Sequence, residues 1–357
     1  MDLIDFLTAT VELGGSDLHI MEGAPPAARV HGELAGLLDE PLSGEQTREL
    51  LLAAMSEQQR AILESELEVD FALAVRGLGR FRANVHYAEG QVEGAFRHIA
   101  EEIRELDELG HGPAVAALCE ERQGLVLVTG ITGSGKSTTM AAMVKRVSER
   151  RSGVIITIEQ PIEYVFEHAS SLIKQREVGR DTGSFSRALR AAMRQDPDVI
   201  VVSELRDLET IQTALTAAET GHLVIGTLHT MDAPRTLDRL VDVFPPEQQG
   251  FVVAQLANCL VGIVSQHLIR RADSPGRVLS SEVLRASDGV RAAIRDRKIE
   301  QIPGMIEIGA SLGMHTMDDS LAHLLRGGYI GVEDAVAHAR DRMGMRKLAH
   351  QLGHEVA

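Results

Sequence analysis

The sequence predicts an α/β protein: a parallel-sheet α/β domain preceded by a smaller α+β domain. Two patterns predict it. Past residue 118, the short apolar runs "GLVLVTG", "GVIITIEQ", "DVIVVSE" and "LVIGTLHT" are separated by helical patterns over 136–150, 184–194 and 206–220. Strands that are apolar throughout are buried on both faces, and their alternation with helices makes a parallel sheet. Before residue 100 the texture differs. "EVDFALAVRGLGRFRANVHYAEGQVEGAFRHI" alternates at period two, with turn signals at "RGLG" and "AEGQ", as antiparallel strands with one covered face do.

Taken in order, "IDFLTATVEL" places apolar residues at helical spacing. The charged stretch "AEEIRELDELGHGP" is expected to be a linker with at most one helical turn. In 206–220, Leu208, Ile211, Leu215 and Ala218 fall on one helix face. "FVVAQLANCLVGIV" is apolar but short, and Gln255 and Asn258 interrupt it. It is expected to be a buried helix, since a membrane span needs ~20 apolar residues. Beyond 280 helices dominate. The plan is a first domain over 1–100, a linker over 101–117, a sheet core over 118–280 and a helical C-terminal region of the same domain over 281–357.

Composition narrows the function. The 357 residues suffice for two cores. The net charge of −16 and the 3% aromatic content, with no Trp, oppose a chain that wraps nucleic acid by charge or stacks its bases. Nucleic acid is therefore not expected as a partner. Cys119 and Cys259 form no CxxC pair, so no structural zinc is expected and a reducing compartment fits. Asp2, Asp5 and Glu12 stand where a signal peptide would carry basic residues.

"LVLVTGITGSGKSTT" carries the chemistry. Gly130, Gly135, Lys136 and Ser137 match G-x-x-x-x-G-K-[ST], between an apolar strand and a helix. Gly130, Thr132, Gly133, Ser134, Gly135, Lys136, Ser137 and Thr138 form a candidate polyphosphate cradle, aided by the helix N-terminus. Lys136 can reach the β and γ phosphates, and Ser137 can ligate Mg²⁺. ATP and Mg²⁺ are thus the expected cofactors. "DVIVVSE" delivers Glu204 to the carboxyl end of a neighbouring strand, where ligands of open α/β sheets sit. A carboxylate there orients or deprotonates the attacking water, or holds a water on Mg²⁺. Glu159 follows "VIITI" and should share that edge. His229 follows "LVIGTL", where a hydrogen-bonding group can sense the γ-phosphate. In "GRFRANV", Arg80 and Arg82 share one strand face, and Arg97 lies on the next strand.

Several longer stretches carry a resemblance. "TIEQPIEY" (157–164), "LRAAMRQDPDVIVVSELRDLETIQTALTAAETGHLVIGTLHT" (189–230) and "RLVDVFP" (239–245) resemble the secretion-type hexameric ATPases, in particular their type IV pilus retraction, or PilT-like, branch. The likeness runs from "GGSDLHI" (14–20) through "GRFRANV" (79–85) to "SLGMHTMDDSL" (311–321). It implies a PAS-like amino-terminal domain and a RecA-like P-loop ATPase domain. It also implies a homohexamer, cytoplasmic and peripheral at the inner membrane beneath a pilus platform protein. By resemblance, Glu159 and Glu163 belong to an acidic box, Glu204 is the catalytic glutamate, and His222 and His229 form a histidine box. Arg80, Arg82 and Arg97 reach the nucleotide, within the chain or from the neighbouring subunit. Arg239 is a weaker candidate for the subunit interface.

The implied function is ATP hydrolysis driving pilus retraction by pilin depolymerisation, as in twitching motility. Two other readings stay open: a non-hydrolysing accessory paralogue that regulates the motor, and a RecA-like nucleic-acid translocase. The chain departs from the family pattern at Gln160, where Asp is usual, at Ser203, where Gly is usual, and at Ile131, where Pro is usual. Gln160 removes a negative charge from the acidic box. "DGVRAAIRDRKIEQIPGMIEIG" (288–309) resembles the retraction-linked helix only in part.

Overall fold

The computed structural model describes residues 1–30, 32–99 and 102–353. The chain forms two compact units. The first comprises Met1–Glu102 with Pro161–Val165, and the second Ile103–Gln160 with Phe166–Ala357. The expected boundary at 100/101 lies outside the described residues.

In the first unit, helix α1 (Leu3–Glu12) leads into strands β1 (Asp17–Ile20), β2 (Ala27–Val30) and β3 (Glu33–Gly36). Helices α2 (Gly44–Ala53) and α3 (Glu57–Glu66) follow, then β4 (Glu68–Val75), β5 (Gly79–Ala88) and β6 (Gln91–Ile99). Asp2, Ser43 and Ser56 close capping boxes that satisfy the first N–H groups of the three helices. The strands form one antiparallel sheet in the order β3-β2-β1-β6-β5-β4. Alternation sends Leu18, Ile20, Phe81, Ala83, Val85 and Phe96 into the core with Phe6 and Leu7. The short strands β1–β3 offer too few residues for a period to show in the sequence.

The second unit holds helix α4 (Pro113–Leu118), β7 (Gly124–Thr129), α5 (Lys136–Arg150), β8 (Val154–Glu159), β9 (Leu172–Glu177), α6 (Phe185–Ala192), β10 (Val199–Val202), α7 (Leu208–Glu219) and β11 (Leu223–Leu228). Then come α8 (Ala233–Asp242), α9 (Pro246–Cys259), β12 (Leu260–Arg270), β13 (Arg277–Arg285), α10 (Asp288–Arg295), α11 (Ile302–Ile308), α12 (Met317–Arg326), α13 (Val332–His338) and α14 (Arg342–Gln351). The sheet order is β13-β12-β7-β11-β10-β8-β9, parallel except for β13. Strands β7, β10 and β11 are buried at every residue, as their unbroken apolar runs require.

Two expectations are corrected. The apolar stretch 251–264 is not one helix: α9 ends at Cys259, and Leu260 opens β12. The β-branched residues after Cys259 pair with β7 on one side and β13 on the other, so tertiary pairing overrides the helical reading. Gly262 permits the close approach, since a Cβ there would lie 2.8 Å from the Leu284 carbonyl oxygen. The stretch expected to be a linker is also no free connector. From Ile103 on it belongs to the second unit and packs on α5. Leu106 is buried, Lys145 of α5 pairs with Glu105 at 2.6 Å and donates to the Ile103 carbonyl at 3.0 Å, and the His111 ring meets the Thr139 hydroxyl at 2.9 Å.

Candidate active site

The parallel register stacks the carboxyl ends of β7, β11, β10 and β8 along one edge of the sheet. Leu228 pairs with Thr129, so His229 and Gly130 leave the sheet side by side. The loop from Gly130 to Gly135 then turns into α5. Gly130, Gly133 and Gly135 take φ of 143°, 77° and 88°, values that side chains disfavour. A Cβ on Gly130 would lie 2.4 Å from the Gln266 carbonyl oxygen, so the site requires glycine on two counts.

Lys136 is the first residue of α5, and its ammonium lies against its own loop. It donates to the carbonyls of Gly130 at 2.8 Å and Ile131 at 3.0 Å. It also lies 3.4 Å from His229 Nδ1. His229 Nε2 in turn stands 3.3 Å from Glu204 Oε1. An ammonium only donates, so Nδ1 must accept and Nε2 must carry the proton that faces Glu204.

Backbone bonds on both sides hold Glu204. Ser203 N–H donates to the Ile158 carbonyl at 2.9 Å, and Leu205 N–H to the Thr227 carbonyl at 3.0 Å. Leu205 packs over Gly226, where a Cβ would come within 2.9 Å of its side chain. Arg206 grips the second carboxylate oxygen at 2.7 Å. Partial burial pushes the Glu204 carboxyl up, but the Arg206 hydrogen bond and charge, helped by His229, hold it below the usual carboxylate range. The same contact raises Arg206. Asp207 caps α7 by accepting from Thr210 N–H at 2.9 Å.

Glu159 ends β8 on the same edge and is buried. Its Oε1 accepts from the Thr157 hydroxyl at 2.6 Å and from Gln175 Nε2 at 3.1 Å. The acidic stretch is divided between the units. Glu159 and the exposed Gln160 belong to the second, whereas Glu163 falls within Pro161–Val165 of the first. The structure thus brings together Gly130, Thr132, Gly133, Ser134, Gly135, Lys136, Ser137 and Thr138 with Glu204, His229 and Glu159.

His222 is not at this edge. It precedes β11, and its backbone carbonyl accepts from Gly124 N–H, at the start of β7. Six strand residues, ~20 Å, separate it from His229 along β11. Its Nδ1 meets the Ala217 carbonyl at 2.9 Å, the last turn of α7. Within this chain it fastens a helix–strand turn, because a strand's two ends face opposite rims of the sheet.

The arginines of the first unit share a face as alternation requires. Arg82 pairs with Arg97 across β5 and β6, and Arg80 with Ile99. Arg82 and Arg97 are exposed, and Arg97 is bound at 2.8 Å to Asp17 of β1. Burial pushes the Asp17 carboxyl up, yet Ser16 and Arg97 bring it net below its usual range. Arg239 is exposed on α8.

Sequence reasoning missed Arg206, Gln175, Gln266 and Arg277. Gln266 Nε2 donates to the Ser134 carbonyl at 2.7 Å, and Arg277 to the Gly133 carbonyl at 3.3 Å. The available signal was a glutamine inside the stretch "GIVSQHLI", whose ends are apolar.

With this geometry in place, the likenesses to known proteins are informative. Residues 96–309 match the family model described as type II/IV secretion system protein. The chain is 44% identical over 340 residues to the type IV pilus retractation ATPase PilT of Pseudomonas aeruginosa, covering 95% of this chain and 98% of that one. It is 40% identical over 355 residues to the type IV pilus ATPase PilU of the same organism, covering 99% and 93%. A solved structure of the pilus retraction motor PilT with bound ADP superposes with a TM-score of 0.90 at 46% identity, covering 97% and 99%. A match over more than half the chain, a near full-length relative and the glycine loop beside Glu204 agree: the chain belongs to the type II/IV secretion system protein family.

Proposed function

We propose that the chain is an ATP-hydrolysing motor that drives type IV pilus retraction. The observation that carries this is the continuous contact from Lys136 through His229 to Glu204 at the mouth of the glycine loop. Lys136 neutralises the β and γ phosphates once they displace its hold on the loop carbonyls. Glu204 accepts the proton of the attacking water or orients it. Arg206 keeps that carboxylate ionised, and the His229 Nε2–H aims it. Glu159, fixed by Thr157 and Gln175, adds negative charge at the same rim.

Ser137 and Glu204 offer hard oxygen donors of the kind Mg²⁺ takes, Ser137 directly and Glu204 through water. Bound Mg²⁺ would neutralise charge developing on the phosphates. Arg80, Arg82 and Arg97 supply further positive charge from a neighbouring subunit of a homohexamer, with Arg239 at that interface. The ring works in the cytoplasm against an inner-membrane platform protein of the pilus.

A second reading is an accessory paralogue of the motor. Gln160 in place of an acid favours it.

Mg²⁺-dependent ATP hydrolysis measured against protein concentration separates them. The motor reading expects turnover that rises with assembly and falls at least ~100-fold in Glu204→Gln and Lys136→Ala. Arg82→Ala should lower it too. ATP binding without turnover in the unmodified chain would sink the motor reading and support the accessory one.

A further inference from the structure

Gln266 lies between Ser265 and His267 on β12 and pairs with Ser281 of β13. It is fully buried on β12. The pairing of Ser265 with Thr129 sets it level with Gly130, the first residue of the loop. Its backbone carbonyl fills the space where a Cβ on Gly130 would sit, and its Nε2 lies 3.2 Å from the corresponding position at Gly135. Its Nε2 donates to the Ser134 carbonyl at 2.7 Å. One residue therefore touches both the beginning and the end of the phosphate loop.

This contact carries a cost. Gln266 Oε1 and Ser134 Oγ are both buried without a hydrogen-bond partner among the described residues. An apolar side chain of similar length would fill the space without burying an unpartnered oxygen. Packing alone therefore gives no reason for a carboxamide here.

The geometry of the peptide group supplies one. In a planar trans peptide, the carbonyl and the following N–H point in opposite directions. Drawing the Ser134 carbonyl onto β12 turns the Gly135 N–H away from that strand. The Gly135 N–H makes no hydrogen bond among the described residues. Arg277, exposed on β13, draws the Gly133 carbonyl in a similar way.

We propose that Gln266 is a positioning residue for the phosphate loop, holding the Ser134–Gly135 peptide so that its N–H faces the bound polyphosphate. This rests on reading the loop as the ATP site. Gln266 touches no phosphate itself.

The test uses the full chain carrying Gln266→Met, which keeps length and removes the donor, and Gln266→Glu, which presents only acceptors at neutral pH. Amide hydrogen exchange of residues 130–138 is followed without nucleotide, at a temperature where each variant is folded. ADP affinity and the KM and kcat for Mg²⁺·ATP are then measured. Expected are about tenfold faster exchange at Ser134, whose N–H donates to the Ile131 carbonyl at 3.2 Å, and about tenfold weaker ADP binding, with KM rising more than kcat falls. Unchanged exchange and unchanged ADP affinity would overturn the proposal, even with a lowered Tm, because a merely structural role moves only Tm. If the unmodified chain bound no ADP, the ATP reading would fail by itself. Exchange would then still decide the tether, supporting it if faster in the variants and overturning it if unchanged.

Discussion

His229 Nε2 lies 3.3 Å from Glu204 Oε1, at the point where β11 and the segment after β10 reach the same sheet edge. The other ring nitrogen faces Lys136 at 3.4 Å. One imidazole thus links the Lys136 ammonium to the Glu204 carboxylate. His229→Ala removes both links and should lower kcat about tenfold or more, since hydrogen bonds to charged groups contribute roughly 1.5–3 kcal/mol. ATP binding should fall less. Turnover and nucleotide affinity measured on one preparation check this.

Arg206 decides the protonation of Glu204. Burial alone pushes that carboxyl up, and the Arg206 contact reverses the direction. In Arg206→Ala burial dominates, so the carboxyl rises. The acid limb of the pH–rate profile should then move to higher pH, with activity near neutrality falling first. An acid limb that stays in place would separate Glu204 from the base role.

Gly130 combines a φ of 143° with a backbone oxygen 2.4 Å from any added Cβ. Gly130→Ala must move either the loop or β12. Both strain and clash act at the phosphate cradle, at about 1–3 kcal/mol for the backbone strain alone. ADP affinity should fall at least tenfold while the far-UV circular dichroism spectrum is retained. Isothermal titration of ADP reads this directly.

Glu282 of β13 is a buried carboxylate that accepts the first N–H of α8, from Ala233, at 2.8 Å. Burial first, then the nearby Asp232 and Asp318, push it up from 4.5 to about 6, against the Ala233 hydrogen bond and Arg340. A carboxyl that is raised on folding binds its proton more tightly in the folded state. Stability is therefore lost as pH rises between about 4.5 and 6, by roughly 2 kcal/mol at most. Glu282→Gln keeps an acceptor for Ala233 and removes the charge. It should raise Tm at pH 8 and change it little at pH 4.5, a difference that thermal melts at the two values resolve.

How much was legible depends on how local each signal was. Gly130, Gly135, Lys136 and Ser137 fall within one short loop and act through its backbone and the helix it opens, so the motif suffices to find them. Glu204, Glu159 and His229 each follow an apolar strand, and a parallel sheet brings such ends to one rim. His222 also borders a strand, but at its start, and the same parallel register sends it to the opposite rim. Arg206 stood in plain view two residues after Glu204, without a sign that it would turn back onto it.

The sequence by itself determined the class of fold, the phosphate loop and the carboxyl-edge residues, because periodicity and turn chemistry act over a few neighbouring residues. Only the tertiary structure decided that 260–270 is a strand, that the charged stretch after residue 102 packs on α5, and that Gln266 and Arg277 hold the loop. Those outcomes follow from which strands lie beside β7 and in what register. That is settled by burying apolar faces and pairing backbone groups between segments more than a hundred residues apart, which no local pattern encodes.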